Sequence, residues 1–163
     1  MNIFYLDSRP NVAAKEHCDK HVVKMILESA QMLCTAHREL DGDVPDVFYK
    51  SAHKNHPSTI WARSKAGNYR WLYDLFVSLC DEYTYRYGKI HLSDKKFRKS
   101  LLNHPVNIPF GEYEQPPQCM PDEYKCDDSV VAYRNYYMGE KYGFAKWSKR
   151  DPPDWWMTKG ETK

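Results

Sequence analysis

Residues 12–40 read VAAKEHCDKHVVKMILESAQMLCTAHREL and contain neither glycine nor proline. Strong helix formers dominate this stretch, and the Gly and Pro residues of positions 41–45 follow it as stop signals. The pattern predicts one long helix from about residue 12 to residue 40. Before it, the apolar run 3–6 closes at the polar and Pro-containing positions 7–10, which predicts an extended N-terminal segment and a turn.

A second long helix is predicted further along the chain. Asn55 is its predicted start signal, and Pro57 lies in its first turn. The helix extends to about Tyr87, and Gly88 is its stop signal. Gly67 is the weak point of this helix, because glycine is a poor helix former. The apolar residues that recur at helical spacing are Trp61, Tyr69, Leu72, Phe76, Leu79 and Tyr83.

Two shorter helices complete the predicted set. The first is capped by Ser93 or Asp94 and extends to about Asn103, and the second covers about 129–141. Between them, repeated prolines over 105–121 predict a long irregular loop. The predicted fold class is therefore all-α, with the 163 residues forming one compact domain of two long helices, two shorter helices and a long Pro-rich loop.

The composition indicates a cytoplasmic protein that does not enter a membrane. The five cysteines are odd in number and show no paired close spacing, which favours reduced thiols. Charged residues interrupt every apolar run before it reaches the length of a membrane span. The formal net charge of +2 does not by itself indicate a nucleic-acid ligand. A monomer is the expected state.

A polar stripe runs along the first predicted helix. At about 100° per residue its members fall within a sector roughly 80° wide, and they are His17, His21, Lys24, Glu28, Gln31 and Thr35. Apolar residues cover nearly all of the remaining circumference, which is typical of a buried helix. Ionisable groups on a buried helix are costly unless they pair or face water. The stripe is therefore predicted to line a cleft, and the alternative is that its charged members satisfy one another inside the core.

Within such a cleft Glu28 is the natural general acid or base, with Lys24 one helical turn away. Arg38 or Lys20 at the edge of the stripe is a further candidate, and a second wall is predicted from the residues that open the second helix, His53, Asn55 and His56. His17 and His21 also have the four-residue spacing of a metal-binding pair, with Glu28 or His53 as a third ligand. No other cofactor is indicated.

Two basic segments are candidates for binding phosphate groups. The first contains Lys95, Lys96, Arg98 and Lys99. The second contains Lys141, Lys146, Lys149 and Arg150, and it lies among several Tyr, Phe and Trp residues. Interleaved basic and aromatic side chains suit a nucleic-acid backbone with bases beside it, although solvated surface charge is the alternative interpretation.

Several short segments resemble a known family. They are Met1-Asn2-Ile3-Phe4, Ala13-Ala14 and Asp19-Lys20, followed by Lys24, Glu28 and Gln31, then Asn55-His56-Pro57 with Ile60-Trp61, then Tyr69, Cys80 and Glu82, and finally Tyr133-Arg134 with the Trp-rich tail. Together they are similar to the small pyrimidine-dimer DNA glycosylases of the endonuclease V type. The resemblance spans most of the chain as scattered short matches.

The resemblance implies an all-α enzyme that bends DNA, flips out a nucleotide and cleaves the N-glycosidic bond through a Schiff base on the N-terminal amine. Such an amine is partly neutral at physiological pH, since α-amino groups titrate near pH 7.7 to 8.0 whereas lysines titrate at about 10.4. Glu28 matches the family's catalytic carboxylate. The better-known members lose their initiator methionine, but the large Asn2 predicts that Met1 is retained. The nucleophile is then the Met1 amine, Lys24 or an activated water.

These observations predict a DNA glycosylase with associated lyase activity on abasic sites, with His17 and His21 as further pocket residues and DNA or a nucleotide as the ligand. Two other functions remain open at this point. One is a metal-dependent hydrolase or nucleotide-modifying enzyme that uses the His17 and His21 pair. The other is a non-catalytic protein that binds nucleic acid or nucleotide.

Overall fold

The computed structural model describes residues 1–157, and that part of the chain contains helices and no β-strand, which confirms the all-α class. The α-helices are α1 (Pro10–Glu16), α2 (Asp19–Leu40), α3 (Pro57–Ser64), α4 (Ala66–Tyr87), α5 (Leu92–Phe97) and α6 (Ser129–Glu140), with a 3₁₀ turn at Asp122–Tyr124. Within the described residues no helix is both long and apolar enough to cross a bilayer.

The first predicted helix is wrong in one respect, because it breaks at His17 and Cys18 into α1 and α2. Cys18 has an extended backbone, with φ −66° and ψ 161°. Its N–H donates to the Tyr137 hydroxyl at 3.1 Å, and the N–H of Asp19 donates to the Lys146 carbonyl at 2.7 Å. Groups from the distant C-terminal part thus replace the intrahelical bonds that a continuous helix would make.

The second predicted helix also divides in two, at Lys65, whose backbone is extended with φ −150° and ψ 147°. The Pro-rich loop packs against this junction, and the N–H of Gly67 donates to the Gly111 carbonyl at 2.9 Å. A Cβ atom at Gly67 would lie 2.3 Å from the backbone nitrogen of Tyr113. Glycine is therefore required here for the close approach of the loop.

The two helices that were predicted to be short, α5 and α6, differ in how well their bounds were predicted. Helix α5 ends at Phe97, well before Asn103, and its cap is His91, whose Nδ1 accepts from the N–H of Ser93. Helix α6 begins and ends within one residue of the predicted positions, and Asp128 caps it.

The core forms where α2 and α1 pack against α4, with α3 beside both long helices. The N-terminal segment 3–6 is buried within this arrangement rather than lying on the surface. Much of the large aromatic content packs in the same core, which includes Tyr5, Tyr69, Phe76, Tyr133 and Tyr137 among its largest fully buried side chains. The burial of the N-terminal segment places the first residue of the chain beside α2.

Candidate active site

The polar stripe of α2 has three parts with different surroundings, so it does not line a single cleft. At its N-terminal end His17 and His21 are buried in the core. His21 stacks on Phe4 with ring centroids 4.2 Å apart, and its Nδ1 lies 2.7 Å from the Tyr137 hydroxyl. His17 is completely buried, with Nδ1 2.6 Å from the Ala13 carbonyl oxygen.

Burial keeps both histidines neutral. It lowers the pKa of His17 to about 4 and, together with the positive charge of nearby groups, that of His21 to about 2. The prediction that these two residues face an opening is therefore wrong. Within residues 1–157 no three His, Cys, Asp or Glu side chains are grouped so as to hold a metal ion.

The C-terminal part of the stripe is covered by the loop that follows α2. Arg38 donates from Nε to the Tyr49 carbonyl and from Nη2 to the Phe48 carbonyl, both at 2.8 Å. The Thr35 hydroxyl accepts from the N–H of Ala52 at 3.1 Å. Arg38, a predicted ligand-binding residue, thus serves to hold this loop on α2.

The middle part, consisting of Lys24, Glu28 and Gln31, remains open. The Glu28 side chain is 15% exposed and lies between two amines. Its Oε1 is 3.6 Å from the Met1 α-amino nitrogen, and its Oε2 is 3.7 Å from Lys24 Nζ. Oε2 is buried and accepts no hydrogen bond from any described residue. The carboxylate is thus positioned to exchange protons with an adjacent amine.

The N-terminal residues are held firmly in this position. The Asn2 amide donates to the Cys119 carbonyl at 3.0 Å and accepts from the Tyr133 hydroxyl at 3.0 Å. The Met1 side chain is only 3% exposed. Because residue 2 is anchored on two sides, the α-amino group of Met1 has little freedom to leave Glu28.

The start of α3 forms a second wall. His56 caps this helix by accepting from the N–H of Ser58 at 3.1 Å. Burial, the charge of the Met1 amine and His53 lower the pKa of His56, and Glu28 opposes this shift. His53 and Asn55 are exposed on the same turn, where His53 has a left-handed backbone with φ 47°. Strained backbone of this kind is often found at functional sites. The electrostatic influence of Met1 and Glu28 on His56 indicates that the ring lies near both groups.

The two basic segments contain paired as well as exposed cations. Arg98 binds the carboxylates of Asp94 and Asp81 at 2.6 and 2.7 Å, and Arg150 binds Glu82 at 2.7 Å. Lysines 95, 96, 99 and 146 are exposed. The two arginines are therefore partly exposed and engaged in ion pairs, whereas the four lysines are exposed members of these segments.

Two further lysines that the sequence analysis named as candidates lie near the start of α2. Lys141 of the α6 C-terminus lies 4.7 Å from the Tyr136 ring centroid, and Lys20 lies 4.6 Å from that of Phe144. These lysines and Lys24 all contribute to lowering the pKa of His21, which places three ammonium groups around the start of α2.

The exposed face of α2 is also less polar than predicted. Val23 and Leu27 are 39% and 40% exposed, although both were expected to be covered. A large surface cavity of about 520 Å³ lies elsewhere, among Pro116, Gln118 and Ser129. Glu28 therefore shares this side of α2 with exposed apolar residues and with the exposed Lys24.

A comparison with known families adds to this geometry. The model of the family described as pyrimidine dimer DNA glycosylase matches residues 1–96. The chain belongs to the pyrimidine dimer DNA glycosylase family. No curated protein and no solved structure gives a significant match.

The part matched by the glycosylase family contains Met1, Lys24, Glu28 and His56. Helix α6, Lys141 and the Pro-rich loop lie outside it. The groups that meet around Glu28 thus come from the part of the chain that identifies the family, while the cations that flank them come from both parts.

Proposed function

We propose that this protein is a DNA glycosylase that removes a damaged or modified base, with lyase activity at the resulting abasic site. The Met1 amine is the nucleophile and Glu28 is the general acid and base. The observation that carries this proposal is the 3.6 Å separation between the Met1 nitrogen and Glu28 Oε1. An amine beside a carboxylate is the arrangement that imine-forming catalysis requires.

In the proposed reaction the neutral amine attacks C1′ of the target nucleotide. A C–N bond forms, and the glycosidic bond breaks with its electron pair leaving on the base, which takes up a proton from water. Glu28 accepts the proton that the amine releases and transfers it to the ring oxygen as the sugar opens to an imine. The Glu28 carboxylate then removes a C2′ proton, the 3′ phosphate leaves with the C3′–O electron pair, and water hydrolyses the imine.

The surroundings of the two amines favour Met1 over Lys24 as the nucleophile. The Lys24 side chain is 62% exposed, whereas the Met1 side chain is only 3% exposed and its neighbour Asn2 is anchored. A fixed nucleophile loses less entropy when it reaches the transition state. Lys24 instead supplies positive charge beside the reacting sugar.

DNA fits the charges around the site. Lys20, Lys24 and Lys141 surround the start of α2, and phosphate groups attract such cations. The exposed lysines 95, 96, 99 and 146 extend the basic surface for contacts with the rest of the duplex. A flipped nucleotide would bring its sugar to Met1 and Glu28.

Borohydride trapping tests the proposal. The wild type is incubated with duplexes that carry ultraviolet-induced dimers or an abasic site, and strand cleavage and covalent adducts are measured. We expect cleavage, and an adduct that mass spectrometry locates on the Met1 nitrogen. Glu28→Gln should lower the rate by about 10²- to 10⁴-fold with little change in the melting temperature.

The other outcomes separate the remaining mechanisms. Base release without an adduct would indicate attack by water, and an adduct on Lys24 would reassign the nucleophile. Tight binding without cleavage of any duplex would reject the enzyme in favour of a nucleic-acid-binding protein.

A further inference from the structure

Two histidines cap helices in the same way at distant positions. His56 precedes α3 in the order His-Pro-Ser, and His91 precedes α5 in the order His-Leu-Ser. In each case Nδ1 accepts a hydrogen bond from the backbone N–H of the serine two residues later, at 3.1 and 3.0 Å. The chain therefore contains two copies of one local structure, of which only one lies beside Met1 and Glu28.

The cap fixes the protonation of the ring. A nitrogen that accepts a hydrogen bond carries no proton, so the neutral ring must carry its proton on Nε2. Forming the imidazolium would place a proton on Nδ1 and break the cap. Nε2–H of His56 is consequently a neutral hydrogen-bond donor, which adds no positive charge next to the Met1 amine.

The position of His56 is tied to the N-terminus through one residue. Cys119 Sγ lies 3.5 Å from the Ser58 hydroxyl, and the Cys119 carbonyl accepts from Asn2 at 3.0 Å. The first turn of α3 and residue 2 thus both contact Cys119. The ring of His91 instead packs edge-on against Tyr83, with centroids 5.2 Å apart.

Nε2 of His56 has no partner in the part of the chain that the structure describes. The ring is half-buried, yet Nε2 donates to none of residues 1–157. The cap fixes the direction of this donor at the edge of the proposed reaction centre. Such a donor suits a hydrogen-bond acceptor of a ligand, because little side-chain entropy is lost on binding.

We propose that His56 Nε2–H donates a hydrogen bond to a sugar or phosphate oxygen of the nucleotide whose glycosidic bond is cleaved. This inference rests on the proposed function for the identity of the ligand. His56 thereby places the sugar between the Met1 nitrogen and the Glu28 carboxylate.

Two substitutions separate the cap from the donor. His56→Asn keeps an acceptor for the Ser58 N–H, because asparagine is a strong N-cap, but it lacks the distant N–H. His56→Gln carries an N–H near the Nε2 position and caps poorly. His91→Asn is the matched control, because it makes the same change at the other capped helix.

The first readout is the equilibrium affinity for a duplex that contains a tetrahydrofuran abasic analogue, which cannot be cleaved at C1′. We expect His56→Asn to bind about 10-fold or more weakly with an unchanged melting temperature. His56→Gln should recover most of the affinity while its melting temperature falls. His91→Asn should match the wild type in affinity and stability. Nitrogen-15 NMR should find the ring proton of His56 on Nε2.

Wild-type affinity in His56→Asn, or a ring proton on Nδ1, would overturn the inference. Cleavage is measured in parallel. If the wild type binds the analogue but cleaves no duplex, the proposed function fails and affinity alone still decides the role of His56. If the wild type does not prefer the analogue over intact DNA, both proposals fall.

Discussion

His21 and Glu28 lie seven residues apart on the same face of α2, yet one is sealed in the core and the other faces the Met1 amine. His21 is 3% exposed, and the Glu28 side chain is 15% exposed. The N-terminal segment explains both environments, because Phe4 stacks on His21 and the Met1 nitrogen reaches Glu28. Seven helical residues and three extended residues both span about 10 Å, so the segment runs along α2 from one site to the other.

One short segment thus divides the stripe into a sealed part, with His17 and His21, and an open part, with Lys24 and Glu28. Apolar side chains of the segment exclude water from His17 and His21, whereas its terminal amine meets Glu28. Substitutions at the sealed end should therefore change stability and leave chemistry intact. Substitutions in the open part should change the chemistry and leave stability intact.

The largest effect at the sealed end should appear on acidification. His17 and His21 have folded pKa values of about 4 and about 2, below the ordinary value of 6.5. The unfolded chain therefore binds more protons below pH 6.5, and stability present above that pH is lost as pH falls toward the folded values. The free energy of unfolding should drop by about 4 kcal/mol between pH 6.5 and 4.5. Urea denaturation at several pH values measures this loss.

Variants show whether these two rings are responsible for the acid sensitivity. His21→Asn should reduce the slope of stability against pH by about one proton. His104→Asn, at an exposed position, should leave the slope unchanged. Glu16 acts in the opposite direction, since burial raises its pKa. If the free energy of unfolding of the wild type did not change with pH, water would have to reach His17 and His21.

A smaller loss of stability is expected from Tyr137→Phe. The Tyr137 hydroxyl accepts from the Cys18 N–H and lies within hydrogen-bond distance of His21 Nδ1. Removing it leaves two buried polar groups without partners, at a cost of about 1 to 3 kcal/mol. Strand cleavage at 25 °C should stay within about two-fold of the wild type, because the hydroxyl lies away from Glu28. Tyr124→Phe, which removes a surface hydrogen bond to Glu140, is the control. A large loss of cleavage with unchanged stability would contradict the division of the stripe into a sealed part and an open part.

Local sequence signals determine most of the fold but not its two helix breaks. Helix α6 and the end of α2 follow from caps and stop residues within a few positions. The break at Cys18 has no such signal, because its replacement hydrogen bond comes from Tyr137, 119 positions later. The junction at Lys65 likewise depends on a loop that packs on Gly67.

Periodicity identified the polar face of α2 but could not show what covers it. The same spacing that placed Lys24 and Glu28 together also included His17 and His21, and the side chain of Phe4 separates the two groups. Periodicity assigns residues to a face, but burial depends on partners far away in sequence. The exposure of Val23 and Leu27 was missed for the same reason.

The smallest effect should come from Lys24→Gln in the open part. Lys24 is 62% exposed and forms a long ion pair with Glu28, so its loss should change stability by less than about 0.5 kcal/mol. If its ammonium group holds a phosphate, the dependence of DNA affinity on salt should weaken by about one unit of slope. DNA-binding titrations at salt concentrations between about 50 and 200 mM measure this slope. Lys125→Gln removes an exposed lysine paired with Asp122 and should leave the slope unaltered. An equal change in both variants would mean that Lys24 adds only general charge, and the open part would then act through Met1, Glu28 and His56 alone.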